Sequence, residues 1–409
     1  MRHPEDVVPV GGLGDFPAVV VVAGTSTDRP TYVYDLATLQ ARCAEVGKLP
    51  IRRKRVFFAS MANDHPQVIG CIKDAGHGVF VNSQDHLRTA LDAGVPCDRI
   101  LYASSNMVDE EMRACADLGV RVVLDSVAQI RRYGLAAGPG HEIGLRVSVG
   151  YVEGDRLTDD PGYRFGVLPE ELPTAVAVAS DHGLRIGGVH SYFGTNLRAA
   201  PLVEGIGRLT EAASALPDIA FVDAGGGFGV AMPGEPAFDF DTYAAGVNAH
   251  LDRLEKRVGH PVEFVIEPGR YLAASCGYFF VTVVDVKERA DRVFVGTNAS
   301  VAMFPRPLMY PDKAEHPVGI VGRTPLEAAD SRPVYISGSS TYSQDFLARA
   351  IALPLPRVGD TLVFGHSGAY CRSMLTRFLG KEMPLEVVLD APSSAVARIE
   401  VGSQPGQAA

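Results

Sequence analysis

Four short segments carry residue types able to hold and polarise a small anionic ligand. Gly225, Gly226 and Gly227 follow an apolar run that ends at Asp223. A triple glycine after a strand lets main-chain N–H groups close on an anion without interference from Cβ atoms, and the same residues also suit a tight turn. Glu267-Pro268-Gly269-Arg270 follows the next β-branched run and offers further donors to the same anion. Together the two segments favour a phosphate. Glu267 is placed either to meet a protonated ring nitrogen or to pair with a nearby arginine. The remaining segments, Met61-Ala62-Asn63-Asp64-His65 and Tyr192-Phe193-Gly194-Thr195-Asn196, also follow apolar runs.

Hydrophobic periodicity says which elements hold these segments. Eight short β-branched runs are predicted strands: Val56 to Ala59, Val79 to Val81, Arg99 to Ala103, Arg121 to Leu124, Glu142 to Val149, Arg185 to Tyr192, Ile219 to Asp223 and Glu263 to Glu267. Helical periodicity fills most of the intervals, over 65–75, 83–93, 109–118, 126–137, 169–182, 202–215 and 241–258. Ser83, Asp109 and Ser126 stand near helix starts, and Gly76, Gly94, Gly119 and Gly183 just after helix ends, as capping chemistry prefers. Eight strands alternating with helices imply an α/β fold, a closed (β/α)8 TIM-like barrel, with an open doubly wound sheet as the alternative. In such a barrel the four segments share the C-terminal end of the strands, where a site belongs.

After Leu272 the texture changes to β-rich runs without long helices. The expected organisation is an N-terminal segment, 1–30, joining a β domain through the run Ala18 to Ala23, then a barrel over 31–273, a C-terminal β-rich domain over 274–401 and a tail over 402–409.

Of the 409 residues, 46% are hydrophobic and 21% charged, a globular composition, and the net charge of −10 argues against nucleic acid, which needs clustered cations. The one compact basic run, Arg52 to Arg55, leads into an apolar segment and reads as a solvated edge. Apolar stretches such as Phe16 to Ala23 and Tyr278 to Val284 are far short of the roughly 20 residues that cross a bilayer. The acidic N-terminus lacks the pattern of a secretion signal. The six cysteines are scattered, with no disulfide framework and no metal-ligand spacing. A cytoplasmic protein with no metal site is the expectation.

At this point a resemblance emerges that spans nearly the whole chain. Phe58-Ala59-Ser60-Met61-Ala62-Asn63, Arg164-Phe165-Gly166, Gly194-Thr195, Asp223-Ala224-Gly225-Gly226-Gly227-Phe228-Gly229, Glu267-Pro268-Gly269-Arg270, Arg306-Pro307-Leu308-Met309-Tyr310 and Gly368-Ala369-Tyr370 resemble, in order, motifs of the fold type III, alanine-racemase-like enzymes that use pyridoxal phosphate. The similarity is to the diaminopimelate, ornithine and arginine decarboxylase branch. It implies that Gly225, Gly226, Gly227, Gly269, Arg270, Thr195 and Tyr370 hold the cofactor phosphate, with Glu267 on the pyridine nitrogen. It further implies that Arg306 and Tyr310 face a substrate carboxylate, that Asp345 lies near the substrate, and that two chains form a homodimer with shared sites.

Four positions depart from the pattern. Met61 stands where the family has the lysine that bonds covalently to the cofactor, and a thioether cannot form that bond. Phe80 replaces an acid of the second strand, Tyr192 the ring-stacking histidine, and Thr341 the cysteine that protonates product. Only seven lysines are present, and Lys381 is the one candidate substitute. An engineered Lys→Met change accounts for Met61 alone, so the four departures favour natural loss.

The preferred reading is a decarboxylase-like lyase acting on an amino acid or amino-acid-derived carboxylate, with pyridoxal phosphate held non-covalently. Tyr192 and His65 are then acid–base candidates, and His65 alternatively caps a helix. A catalytically inactive paralogue is the second reading. The third is a pocket repurposed for a metal or haem, drawing on His65, His190, His366, Cys371 and Met61. Arg146 reads as one half of a barrel-filling ion pair.

Overall fold

The computed structural model describes residues 29–153, 156–158, 164–216, 218–311, 314, 316–322, 332–390 and 396–399. The run Ala18 to Ala23, Lys313 and the tail after residue 401 lie outside them. The chain divides into two compact units, one of residues 1–39, 231–236 and 273–409, the other of residues 40–230 and 237–272.

Strand β1 (Thr31–Asp35) opens the chain's described structure, and the barrel strands are β2 (Lys54–Ala59), β3 (Gly78–Val81), β4 (Ile100–Ala103), β5 (Arg121–Leu124) and β6 (Glu142–Arg146). A small hairpin, β7 (Tyr151–Glu153) and β8 (Arg156–Thr158), precedes β9 (Arg185–His190), β10 (Phe221–Asp223) and β11 (Glu263–Ile266). Parallel pairing in the order β10-β11-β2-β3-β4-β5-β6-β9 closes the barrel expected from the alternating pattern. The strands read as near-continuous apolar runs because both faces are covered, by side chains inside and helices outside.

Phe57, Ala59, Phe80, Leu101, Val123, Phe221 and Val265 form the interior cluster, and Met61 and Ala103 pack on it. Phe221 sets the geometry of this layer. A Cβ on Gly188 would stand 2.0 Å from the tip of its ring and one on Gly144 3.0 Å away, so two glycines make room for one phenyl group. Arg121 lies 4.4 Å over the same ring and pairs with Glu263 at 2.7 Å.

Local chemistry explains the helix ends. Ser83 and Ser126 accept hydrogen bonds from the main-chain N–H groups of His86 and Gln129 at 3.2 and 3.1 Å. Asp109 is not a cap, contrary to expectation: Val108 occupies that position, and the Glu111 carboxylate accepts its N–H at 3.0 Å. Gly76, Gly94, Gly119 and Gly183 all take left-handed φ values, between 65° and 82°. The basic run is paired rather than merely solvated, Arg52 with Asp252 and Arg53 with Glu255 on the long helix Phe240–Val258.

The second unit is a β-sheet of nine strands. Its further strands are β12 (Gly277–Arg289), β13 (Arg292–Thr297), β14 (Val318–Ile320), β15 (Arg332–Ser337), β16 (Phe346–Leu353), β17 (Thr361–Phe364), β18 (Leu385–Leu389) and β19 (Val396–Ile399). β1 belongs to this sheet, antiparallel to β12 and parallel to β18, although the sequence puts residue 31 at the start of the barrel. The reason is that Thr31–Asp35 is a buried β-branched and aromatic run, which the sheet completes on both edges.

Gly188→Ala is expected to lower the unfolding free energy by about 1–3 kcal/mol through overpacking against Phe221. Urea denaturation followed by circular dichroism measures it, and an unchanged midpoint would show that the ring relocates freely.

Candidate active site

The loops after β9 and β10 run side by side. Leu197 N–H donates to the Gly227 carbonyl at 2.8 Å, Gly229 N–H returns to Leu197 at 3.0 Å, and Val230 N–H reaches the Asn196 side chain at 2.7 Å. This zipper forces close backbone approach: a Cβ on Gly227 would lie 2.6 Å from the Gly194 carbonyl oxygen, and one on Gly226 2.5 Å from that of Glu267. Gly225 and Gly227 also hold φ at 62° and 97°. Packing and turn geometry therefore account for the glycines. Beyond that, the N–H groups of Gly226 and Gly227 make no hydrogen bond among the described residues, while Gly225 N–H is taken by Asp223 at 2.9 Å. Main-chain donors left open at the C-terminal end of a barrel suit an anion. Thr195 stands on the neighbouring loop, its hydroxyl 2.5 Å from that of Tyr192. Gly269 fits closely against Ala59 and Ala62, and Arg270 opens a short helix.

Beneath the glycine loop lie His190, Asp223 and Glu267, with ligand-type atoms all within 4.8 Å of one another. All three are at least nine-tenths buried. Burial, the largest cause, pushes Glu267 up to about 7 and His190 down to about 4. Asp223 is raised well above the usual carboxylate range by burial and then by the charge of Glu267. With His190 neutral near neutrality, its 3.5 Å Nε2 approach to Glu267 is not an ion pair. Glu267 Oε1, Asp223 Oδ2 and both imidazole nitrogens have no hydrogen-bond partner among the described residues. Such a set is satisfied by a ligand that brings a polar ring atom into it.

On the side of β2 to β6 a cavity of about 430 Å³ opens, with Met61, Phe80 and Val123 among its apolar lining and Asp125, Arg146 and Arg164 as its charges. Asp125 accepts from Ser105 Oγ at 2.9 Å and from Gly166 N–H at 3.1 Å, and Arg146 approaches it at 4.0 Å. The ion pair expected of Arg146 is there, and the Phe165 ring lies under both guanidinium groups, 4.4 Å from that of Arg146 and 3.7 Å from that of Arg164.

Several candidates fall elsewhere. His65 caps the helix Pro66–Asp74, its Nδ1 accepting from Gln67 N–H at 3.2 Å, the alternative role its sequence position offered. Among the described residues His190, Asp223 and Glu267 are the one cluster of histidine, cysteine or carboxylate groups with ligand geometry, and of the residues offered to a metal or haem it contains His190. Lys381 donates to the Ser339 carbonyl at 3.1 Å and Lys54 to those of Gly47 and Leu49, and among the described residues no lysine lines the cavity. In the β-rich unit Arg306 is buried with its guanidinium 5.3 Å from the Tyr310 ring. Thr341 is exposed, and Tyr370 has a left-handed backbone with φ of 56°. Asp345, expected near substrate, is an internal anchor instead: its carboxylate accepts from Val301 N–H at 2.7 Å and from Ser340 N–H at 3.0 Å, tying down the loop that carries Thr341. Asp223 and Asp125 were not singled out from sequence as site residues. The signal available was their position, each the last acidic residue at a barrel strand's C-terminal end.

The fold and this arrangement define a class, a barrel enzyme of the pyridoxal phosphate type. The family pattern described as pyridoxal-dependent decarboxylase, pyridoxal binding domain, matches residues 36–274. Diaminopimelate decarboxylase of Methanothermobacter thermautotrophicus is 32% identical over 351 residues, covering 82% of this chain and 80% of the relative. That of Streptomyces coelicolor is 27% identical over 396 residues, covering 93% and 88%. A crystal structure of diaminopimelate decarboxylase superposes with a TM-score of 0.83 at 26% identity, covering 93% of this chain and 92% of the other. The chain belongs to the pyridoxal-dependent decarboxylase family, whose members are lyases and whose cofactor is pyridoxal phosphate. The open N–H groups and the unsatisfied polar atoms of the buried triad fit that group.

The buried triad has a pH signature. An unfolded glutamate ionises near 4.5 and an unfolded histidine near 6.5. Between 4.5 and 7 Glu267 keeps its proton in the fold while the unfolded chain loses it, so this group's contribution to stability falls as pH rises. His190 acts oppositely between 4 and 6.5, where the unfolded chain binds the extra proton, and its contribution rises with pH. Removing His190 with His190→Gln therefore leaves stability falling more steeply from pH 4.5 to 7 than in the parent. Urea denaturation of cofactor-free protein at a series of pH values tests this, and parallel profiles for the two proteins would contradict it.

Proposed function

We propose that the chain is a lyase acting at the carboxylate of an amino acid or amino-acid derivative, with pyridoxal phosphate held through its phosphate and ring alone. The observation that carries this reading is the coexistence of a buried Glu267–His190–Asp223 set and open main-chain donors with a thioether at position 61. When bound, the cofactor supplies an electron sink for the carbanion left as carbon dioxide departs.

In this reading Gly226 and Gly227 N–H groups, Thr195 and Arg270 bind the phosphate. Glu267 Oε1 holds or accepts a proton at the ring nitrogen, and the low-dielectric surroundings keep water from competing. Tyr192, its hydroxyl bonded to Thr195, is the acid–base candidate beside the phosphate loop. The resemblance assigns Arg306, Tyr310, Thr341 and Tyr370 to a site completed in a homodimer. A two-carboxylate substrate such as the relatives' diaminopimelate is the first to assay, and a cytoplasmic setting suits six scattered cysteines, five of them buried.

Addition of pyridoxal phosphate to the purified protein is expected to give a saturable absorbance change. Borohydride treatment followed by denaturing mass spectrometry should leave the polypeptide at its unmodified mass. A stable cofactor adduct on any lysine would overturn non-covalent binding, and absence of saturable binding would overturn the cofactor. Gly226→Ala, which presses a methyl group on the Glu267 carbonyl, should weaken binding at least about tenfold. Equilibrium dialysis measures that change.

A further inference from the structure

We propose that Phe80 acts with Met61 as a specificity-determining pair that excludes an amine from the floor of the cavity, so that non-covalent binding is built into the surrounding layer and not into position 61 alone. The inference rests on the proposed non-covalent reading and extends it to a second residue.

Met61 packs on the interior cluster that contains Phe80 and Val123, and all three side chains line the cavity. Phe80 is buried, and its ring stacks with that of His190 at a centroid distance of 6.4 Å and an interplanar angle of 21°. It therefore stands in the same layer as the Met61 thioether and beside the histidine that contacts Glu267. An ammonium group placed at position 61 would meet this apolar layer.

The charges around it offer no compensation. Among the described residues Asp125 is the sole carboxylate in the cavity lining, and Ser105, Gly166 and Arg146 already engage it. Arg146 and Arg164 place two further cations in the same space. Behind Phe80, burial keeps His190 neutral and raises Glu267 to about 7, which reduces its charge near neutrality. Loss of solvent and proximity of like charge both favour the uncharged amine. A lysine here would be destabilising when charged, and a carboxylate at position 80 would relieve it.

The test compares Met61→Lys with the double variant Met61→Lys/Phe80→Asp in the full-length protein. Competitive acetylation with acetic anhydride across pH, read at the introduced amine by peptide mass spectrometry, reports its protonation without any cofactor. The single variant is expected to titrate below the ordinary lysine range, and the double variant at least about one pH unit higher, a tenfold change in the protonated fraction. Borohydride fixation of added pyridoxal phosphate, read as the mass gained, should differ between the two at the same pH. An ordinary lysine titration in the single variant, unchanged by Phe80→Asp, would overturn the proposal.

Met61→Leu and Met61→Gln guard against a failure to fold. Thermal melts should show Leu close to the parent and Gln clearly lower, and equal melting of the two would also refute an apolar floor. Because the acetylation and melting need no cofactor, their failure is distinct from failure of the parent protein to bind pyridoxal phosphate.

Discussion

The burial of Glu267 is the constraint on which the rest of the site depends. A carboxyl group at the C-terminal end of a barrel strand, taken out of water, favours its protonated form, and the hydrogen bond with Asp223 and the charge of Arg146 offset that preference only in part. Its surroundings have to be dry and close-packed for this to hold. The zipped loops after β9 and β10, the glycines that permit their approach and the phenyl ring of Phe80 over His190 all contribute to that enclosure.

The barrel thereby separates two kinds of surface within one mouth. On the β9 and β10 side, main-chain N–H groups and a hydroxyl face outward from tight turns, a geometry that recognises oxygen anions with little side-chain rearrangement. On the side of β2 to β6, a cavity combines an apolar layer with two guanidinium groups resting on one phenyl ring. In a family that uses pyridoxal phosphate, the first surface suits the cofactor, and the second includes Met61.

Much of the fold was legible because its signals are local and repeated. The strand Arg121–Leu124 and the helix Asp109–Leu118 fall at their expected residues, since apolar period and flanking polar residues agree there. β1 was misplaced for a complementary reason: a short apolar strand carries no mark of which sheet it will join, and pairing with β12 and β18 involves residues hundreds of positions away. His65 illustrates the same limit on the chemical side. Its identity permits proton transfer, yet the adjacent Pro66 and the N–H of Gln67 make it a cap.

Residue identities alone determined that position 61 carries no amine, that the glycine and Glu-Pro-Gly-Arg segments follow strands, and that alternating β and α periodicity builds a barrel. These are properties of covalent chemistry and short-range pattern. Tertiary structure decided that Asp345 is spent on holding a loop, that His190 and Asp223 join Glu267, and that Phe80 shares a layer with Met61. The physical reason is that proton affinity and hydrogen-bond availability depend on burial and on partners distant in the chain, and both arise only when the strands close.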